Sequence, residues 1–443
     1  MFGCKFYILV ITFIFICCCD GEKVRFDNYT LYGVFPKDEK QINLLRSLQD
    51  DTRFDFWNDP SPYKEYVNIL ASQENKQYLE KVLLEHGIEV NVAVDNIQEL
   101  IDKERVNKYT RRNLRSMTWN AYYTLDDIYS WMEDLISSYP EATEIIGGIS
   151  YEGRPIKGIR IYHGRANKKI FLEGGIHSRE WISPATVAYI ANELLTSPID
   201  EIRDAAREYD WYIFPVTNPD GYIWTFTNNR MWRKNRRPIN AQQTGVDLNR
   251  NWNNNWLVAG ASIDPSSDTY PGPGPFSEPE TRTLSTYIRS ISDGMEFYLS
   301  FHSYGQLLLL PFGNTTEPLA NYFEAINIGR RAMGALSVRY GTQYVTGNVA
   351  EAIYHATGGS IDWVKGHLDV RLVYCYELRP DDWRVGFILP PDEILPNNLE
   401  VMDSILELIY MSKRITAPSA APGPGASFLF IFIVGVMLHL FKY

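Results

Sequence analysis

Apolar and polar positions along this chain follow two successive patterns, and the second begins near residue 117. Beyond that point, near-continuous apolar runs such as MEFYLSFHSYG and RLVYCYELRP predict strands that are buried on both faces. Segments such as TLDDIYSWMEDLISS and SPATVAYIANELL have the apolar spacing of helices, with Thr124 and Ser183 as the predicted N-caps. This alternation predicts an α/β fold with a mixed, mostly parallel central sheet and helices on both faces.

A smaller set of strands and helices precedes this region, over residues 22–112. Strand-like NYTLYGVFP, FDFWN and YVNILAS alternate with the helical segments EKQINLLRSLQ and NKQYLEKVLLEHG. The second helix is predicted to end at Gly87, because glycine readily adopts the left-handed conformation of a C-cap. A length of about 90 residues suffices for a compact module, and the pattern predicts a small α+β domain.

A segment rich in lysine and arginine, residues 103–116, joins the two predicted domains. One interpretation is a charged helix end exposed to solvent. The other is an exposed linker that a trypsin-like protease cleaves after Arg111, Arg112 or Arg115, because such connections are preferred sites of nicking. The position between two domains favours the second interpretation.

Both ends of the chain differ from the middle. Residues 1–19 are almost entirely apolar after an early lysine, which predicts a secretory signal peptide rather than a membrane anchor. Residues 413–443 contain small residues, a proline- and glycine-rich spacer and a short apolar tail, which resemble a GPI-anchor signal; a membrane-spanning tail is the alternative. We therefore expect an extracellular protein, secreted or at the cell surface, that meets the membrane only through this tail.

Composition narrows the possible functions. Of 443 residues, 45% are hydrophobic, which is enough for a large core, and the formal net charge is −11. That charge argues against nucleic-acid binding, because there is no global positive field to attract phosphate. Four of the five cysteines lie within residues 1–19, so only Cys375 remains and no intramolecular disulfide is expected after signal removal.

Candidate chemistry appears where predicted strands end. His177, His302 and Glu377 each stand at the end of an apolar strand, where open α/β sheets place ligand sites. Glu180 follows His177 by three residues in a tight turn, so both side chains can face one ion. Two histidines and a carboxylate are a common ligand set of catalytic zinc. The His-x-x-Glu spacing alone is a weak signal, and an ordinary polar turn is the alternative.

Hydrolysis of an amide at such a metal needs a base and a cation for the developing oxyanion. Glu377 lies in an apolar stretch that suits a carboxylate of adjusted pKa, although pairing with Arg379 is the structural alternative. The basic segment NRMWRKNRR, residues 229–237, offers several cations, unless it is simply an exposed surface patch. Asn249 and Arg250 in GVDLNRNW offer the planar donors that bind a carboxylate.

These motifs occur together and in a fixed order. The segments in question are GGIHSREWISP, NRMWRKNRR, GVDLNRNW, LSFHSYGQ, IYHATGGSIDW and YELRP. Over residues 117–412 the chain closely resembles the zinc metallocarboxypeptidases of the pancreatic carboxypeptidase A/B type, and residues 22–112 resemble their inhibitory pro-domain. The resemblance implies a zymogen that hydrolyses the C-terminal bond of peptides and proteins, with one Zn²⁺ in the catalytic domain.

The resemblance also implies a role for each motif residue. His177, Glu180 and His302 would be the zinc ligands, and Asp247 would orient the His177 ring. Glu377 would act as general base and then general acid, and Arg233 would polarise the scissile carbonyl. The substrate contacts would be Asn249, Arg250 and Tyr354 at the terminal carboxylate, Arg179 and Tyr304 further upstream, and Ile361 at the floor of the specificity pocket.

Ile361 at the pocket floor predicts a preference for apolar or aromatic C-terminal residues, with Cys375 as a further candidate pocket residue. The chain departs from the family in two places: it has no disulfide after GVDLNRNW, and PDDW follows the ELR motif. Two alternatives to a carboxypeptidase stay open. One is a zinc hydrolase of another amide, and the other is an inactive, anchored binding module.

Overall fold

The computed structural model describes residues 23–49, 51–62, 64–104 and 117–416. The predicted signal peptide (1–19), the cleavage candidates Arg111, Arg112 and Arg115, and the tail beyond residue 416 lie outside the described residues. Within the described part of the chain, no helix is both long and apolar enough to cross a bilayer.

The described residues before the linker form an N-terminal unit, residues 23–104, around one antiparallel sheet in the order β2-β3-β1-β4. The strands are β1 (Thr30–Phe35), β2 (Phe54–Phe56), β3 (Val67–Ala71) and β4 (Glu89–Val94). The helices are α1 (Glu39–Leu48), α2 (Lys76–Glu85) and α3 (Ile97–Glu104). Leu45 of α1 and Leu79 and Leu83 of α2 are buried against the sheet, and Gly87 after α2 is in the left-handed region as predicted (φ +64°).

The C-terminal unit, residues 117–416, is built on an eight-stranded sheet in the order β11-β10-β12-β9-β7-β8-β6-β5. The strands are β5 (Ala142–Ile149), β6 (Pro155–Ile161), β7 (Lys168–Gly174), β8 (Tyr209–Phe214), β9 (Met295–Ser303), β10 (Leu307–Leu310), β11 (Val345–Asn348) and β12 (Leu372–Leu378). Strands β12, β9, β7 and β8 are parallel neighbours at the centre of the sheet. Antiparallel pairs occur toward the edges, so the sheet is mixed as predicted.

Helices cover both faces of this sheet, which confirms the predicted α/β class. They are α4 (Leu125–Ser138), α5 (Ile182–Thr196), α6 (Asp200–Glu208), α7 (Pro219–Thr227), α8 (Pro279–Ile291), α9 (Tyr322–Tyr340), α10 (Val349–Ala352), α11 (Ser360–Leu368) and α12 (Ile394–Thr416). On one face, side chains of α4, α5, α6, α9 and α12 form the larger core. On the other face, α8 and α11 pack over alternate residues of the same strands.

The predicted N-cap Thr124 is confirmed, and the predicted N-cap Ser183 is wrong. Thr124 caps α4 in a capping box with Asp127, as its position before an apolar periodic segment predicts. Ser183 is not a cap, because α5 already begins at Ile182 and is preceded by Trp181. The Ser183 hydroxyl instead donates to the carbonyl of Phe301 (2.5 Å) and accepts from the amide of Gly175 (3.0 Å). The Ser183 hydroxyl thus bonds to two other parts of the chain and does not form the predicted N-cap hydrogen bond.

The two units meet through a reciprocal contact between tryptophans and glycines. The ring of Trp383 lies on Gly33 of β1, where an added Cβ would stand 2.4 Å from the ring. The ring of Trp57 lies on Gly386 of the C-terminal unit in the same way, also at 2.4 Å. The Trp383 residue belongs to the PDDW segment in which this sequence departs from the family, and that segment therefore supplies an interface residue.

Replacing Gly33 with alanine tests this contact. The added methyl group has to displace the Trp383 ring, and overpacking of this kind costs about 1–3 kcal/mol. We expect faster hydrogen–deuterium exchange in β1 and in residues 381–387, measured by mass spectrometry. Gly334→Ala is the matched control, because a Cβ there meets nothing within 4 Å. Unchanged exchange in Gly33→Ala would show that the ring contact does not hold the units together.

Candidate active site

The carboxyl ends of three adjacent parallel strands bring the candidate residues together. His177 follows β7, His302 lies near the end of β9, and Glu377 lies near the end of β12. Glu377 and His302 are direct partners in the register of β12 and β9. The sequence pattern predicted these strand ends, and the parallel order of the strands explains why they converge.

Glu180 joins the two histidines in a buried cluster. The Nδ1 atom of His177 lies 2.8 Å from Oε1 of Glu180 and 3.1 Å from Nδ1 of His302. Oε2 of Glu180 lies 3.2 Å from Nδ1 of His302. Donor atoms bound tetrahedrally at about 2.1 Å to one zinc ion stand about 3.4 Å apart, so the two histidine nitrogens and the Glu180 carboxylate have a spacing close to what zinc requires. Each of the three residues offers one ligand atom, and these atoms all lie within 4.8 Å of one another.

The charges around this cluster favour an ionised carboxylate. Burial alone would raise the pKa of Glu180, but the imidazoles of His177 and His302 outweigh burial and hold the pKa below its ordinary value. Asp247 is fully buried behind His177, with Oδ1 3.2 Å from the ring Nε2. Burial opposes ionisation of Asp247 as well, yet Arg233 and His177 hold its pKa well below its ordinary value.

Glu377 stands beside the cluster with a different electrostatic balance. Burial raises the pKa of its carboxyl to about 7, although the His302 imidazole opposes that shift. The alternative partner, Arg379, is engaged elsewhere: its guanidinium donates to Glu400 (2.7 Å) and to Glu393 (2.6 Å). Glu377 therefore lies at the metal cluster with a pKa suited to accepting and donating a proton near neutral pH.

The basic segment 229–237 is not an exposed patch. Arg230 is buried and forms a two-point ion pair with Glu104 of the N-terminal unit (both 2.8 Å). Arg233 faces the metal cluster and donates to Oδ2 of Asp247 (2.9 Å). Its guanidinium also lies 3.8 Å from Oε1 of Glu180. Arg233 thus supplies a fixed positive charge next to the donors that could hold zinc.

Arg250 and Tyr354 form a second polar group, which lines the same cavity as the metal cluster. The Arg250 guanidinium donates to the Tyr354 hydroxyl (2.8 Å) and to the carbonyl of Gly260 (2.7 Å). Oδ1 of Asn249 accepts from the amide of Ser360 (2.9 Å), which fixes the orientation of its side-chain amide. A guanidinium, an amide and a phenol in one wall are donors that suit a carboxylate.

Residues of the N-terminal unit contact Arg179 and Tyr304, the two side chains predicted to bind the substrate further from its C-terminus. Arg179 lies 3.1 Å from Oδ1 of Asp55, and the Tyr304 hydroxyl donates to Oδ1 of Asn68 (2.8 Å). Lys64 also reaches the cavity, with Nζ 3.5 Å from the carbonyl of Gly305. The local sequence around Asp55, Lys64 and Asn68 predicts none of these contacts, because the partners lie more than 100 positions away.

One cavity of about 720 Å³ unites these features. Its lining contains every predicted site residue except Asp247, which lies behind His177. The side chain of Ile361 is part of the lining, together with Cys375, the candidate pocket residue. The cavity therefore combines a potential zinc site, a carboxylate of raised pKa, the guanidinium groups of Arg233 and Arg250, and apolar side chains such as Ile361.

Comparisons with known proteins agree with this geometry. A family model described as zinc carboxypeptidase matches residues 128–404, and one described as carboxypeptidase activation peptide matches residues 32–104. Zinc carboxypeptidase A 1 of Anopheles gambiae is 40% identical over 409 residues, covering 88% of this chain and 91% of that protein. Zinc carboxypeptidase of Simulium vittatum is 47% identical over 296 residues, covering 66% of this chain and 97% of that protein.

The fold has a close counterpart among solved structures. The crystal structure of the carboxypeptidase A from Helicoverpa armigera superposes with a TM-score of 0.81 at 28% identity, over 90% of this chain and 100% of that chain. The two family models match in the expected order, and the relatives are 40% and 47% identical to this chain. Together they establish the family. The chain belongs to the zinc carboxypeptidases and is an enzyme of that family made with an activation peptide.

Proposed function

We propose that this protein is a zymogen that removes apolar or aromatic residues from the C-termini of peptides and proteins. The observation that carries the proposal is the single cavity that holds a metal cluster, a base, a carboxylate-binding group and an apolar recess. An exopeptidase needs all four, because it must recognise a free carboxylate and hold the adjacent amide at the reacting centre.

In this proposal His177, Glu180 and His302 hold the zinc ion. Zinc, when bound, supplies a Lewis acid that lowers the pKa of water and polarises a carbonyl. Asp247 accepts from Nε2 of His177, which fixes the ring orientation and leaves Nδ1 toward Glu180 and His302. The donor set and its spacing support this assignment.

Glu377 is the proposed proton carrier. Its carboxylate takes a proton from the attacking water and then delivers that proton to the nitrogen of the leaving amine. The position of Glu377 directly opposite His302 in the register of β12 and β9, in the lining of the same cavity, supports both steps. Arg233, beside Glu180 and Asp247, would stabilise the negative charge that develops on the scissile carbonyl oxygen.

Asn249, Arg250 and Tyr354 are the proposed contacts for the terminal carboxylate. A planar guanidinium is well matched to a carboxylate, and Arg250 is held in place by Tyr354 and by Gly260. The substrate side chain next to that carboxylate would enter the recess lined by Ile361. The apolar character of Ile361 supports the preference for apolar or aromatic residues.

The N-terminal domain, proposed as residues 22–112, would inhibit the catalytic domain, residues 117–412. Asp55 and Asn68 engage Arg179 and Tyr304, which are the proposed upstream substrate contacts. Cleavage after Arg111, Arg112 or Arg115 by a trypsin-like protease would allow this domain to leave. The apolar segments 1–19 and 428–441 support secretion and a lipid anchor at the cell surface.

Glu377→Gln tests the base. We expect kcat of the trypsin-activated protein on a peptide ending in phenylalanine to fall about 10²–10⁴-fold, because general acid–base catalysis typically contributes that much. Bound zinc, measured by atomic absorption, should stay at one ion per chain because Glu377 is outside the ligand set. Glu351→Gln, at an exposed position outside the cavity, is the control. Full activity in Glu377→Gln would disprove the assigned proton carrier.

A peptide amide tests recognition of the terminal carboxylate. Its kcat/KM should be about 30-fold or more below that of the free acid, because Arg250 is then left with no charged partner. Arg250→Lys should narrow this gap, since lysine lacks the planar fork. The exposed Arg331→Lys serves as the matched substitution. Equal turnover of acid and amide would favour a hydrolase of other amides.

Asp55→Asn tests inhibition by the N-terminal domain. Arg179 keeps its ion pair with Asp268 (3.1 Å) but loses the charge of Asp55, and a hydrogen bond to a charged group is worth about 1.5–3 kcal/mol against about 0.5–1.5 kcal/mol for a neutral one. The uncleaved protein should therefore hydrolyse a small substrate several-fold faster. The rate after trypsin treatment should match that of the unaltered protein. Asp95→Asn is the control, because Asp95 is exposed and outside the cavity lining. An unchanged rate in the uncleaved Asp55→Asn protein would rule out this contact as an inhibitory one.

A further inference from the structure

A lysine of the N-terminal unit places its charge between two acceptors of the C-terminal unit. The Nζ atom of Lys64 lies 3.5 Å from the carbonyl oxygen of Gly305 and 3.9 Å from Oδ1 of Asp381. The Lys64 side chain is only 15% exposed, and it lines the same cavity as the metal cluster. An ammonium group that has lost most of its water needs such negative partners. The Gly305 carbonyl and the Asp381 carboxylate thus form a cation site.

Two features of the local sequence create this site. Residue 305 carries no side chain, and a Cβ added there would stand 2.7 Å from Nζ of Lys64, in the space that the ammonium occupies. Asp381 belongs to the PDDW segment, in which this sequence departs from the family. The resemblance to the family therefore does not imply the cation site.

The Asp381 carboxylate loses its partners when the N-terminal unit departs. Its Oδ1 accepts from the hydroxyl of Tyr66 (3.2 Å) and faces Lys64, and both of these residues belong to that unit. The backbone amide of Asp381 donates to Oε1 of Gln306 (3.2 Å), which keeps the residue in place within the C-terminal unit. Departure therefore uncovers a carboxylate that has no cation partner left among the described residues.

The cation site adjoins the proposed upstream substrate contact Tyr304. Gly305 is the next residue along the chain, and the Tyr304 hydroxyl is itself covered by Asn68 of the N-terminal unit (2.8 Å). Burial raises the pKa of the Tyr304 phenol, and the charge of Asp381 adds to that increase, so this carboxylate acts on the proposed contact. A substrate that reaches Tyr304 therefore passes close to the cation site.

We propose, on the basis of the proposed carboxypeptidase function, that Asp381 and the Gly305 carbonyl bind a basic side chain of the substrate upstream of the bond that is cleaved. The ammonium of Lys64 occupies this site before activation and shows which chemistry the site accepts. A lysine or arginine of the substrate takes its place once the N-terminal unit has left. Asp381 repels an acidic side chain at the same position.

A substrate series on the zinc-loaded, trypsin-activated protein tests this inference, after trypsin has been inhibited. The peptides are acetylated, consist of alanine, end in phenylalanine, and carry lysine, norleucine or glutamate at one of the four positions before it. At one position, kcat/KM for lysine should exceed that for norleucine about two- to fivefold, as a partly exposed ion pair allows, and glutamate should be slowest. This preference should shrink between about 0.1 M and about 1 M salt, because salt screens such charges.

Two outcomes of this series count against different claims. Equal values for lysine and norleucine at all four positions, or fastest cleavage of a glutamate peptide, would overturn the cation site. Cleavage of none of the peptides would instead refute the proposed carboxypeptidase function on which the inference rests.

Asp381→Asn adds a second test in the same assay. Asparagine can still accept a hydrogen bond but carries no charge, so the ratio of lysine to norleucine should fall to about one. Asp382→Asn is the matched control, because this neighbouring carboxylate pairs with Arg384 instead (2.8 Å), and the ratio should persist. A retained preference in folded Asp381→Asn, judged by zinc content and melting temperature, would overturn the assignment. Should that variant not fold, the substrate series and its salt dependence decide.

Discussion

The buried carboxylate of Asp247 connects the parts of the site that must act together. Its Oδ1 lies 3.2 Å from Nε2 of His177 and accepts from the backbone amide of Asn249 (2.9 Å). Its Oδ2 accepts from Arg233. A buried charge is costly unless partners surround it, and here each partner is itself a proposed functional group. The metal cluster, the Arg233 guanidinium and the turn at Asn249–Arg250 are therefore all held by the same buried carboxylate.

The contacts of the N-terminal unit with the C-terminal unit also pair buried charges. Arg179 is buried and pairs with Asp55 of this unit (3.1 Å) as well as with Asp268 of the C-terminal unit (3.1 Å). Arg230, likewise buried, pairs with Glu104 at the last described residue before the linker. Departure of the unit removes Glu104 from Arg230 and Asp55 from Arg179, which keeps Asp268. These ion pairs act together with the Trp383–Gly33 and Trp57–Gly386 contacts in holding the two units together.

Much of the fold was predictable because the deciding signals are local. Continuous apolar runs identify β9 and β12, and helical spacing with a cap residue identifies α4. His177, His302 and Glu377 could be grouped because parallel strands end at one edge of the sheet. The Ser183 prediction was wrong because its hydroxyl satisfies Gly175 and Phe301, which local sequence does not report. The Trp383–Gly33 contact likewise depends on how two separate units dock.

The segment 253–275, which has no disulfide, shows how hydrogen bonds can replace a covalent link. Thr357 accepts from the amides of Val258 and Ala259, and Arg250 donates to the carbonyl of Gly260. A disulfide acts largely by restricting the unfolded chain, whereas these contacts act only in the folded state. They also involve Arg250, the proposed carboxylate-binding residue. The Gly260 carbonyl of this loop therefore helps to fix the Arg250 guanidinium in the lining of the cavity.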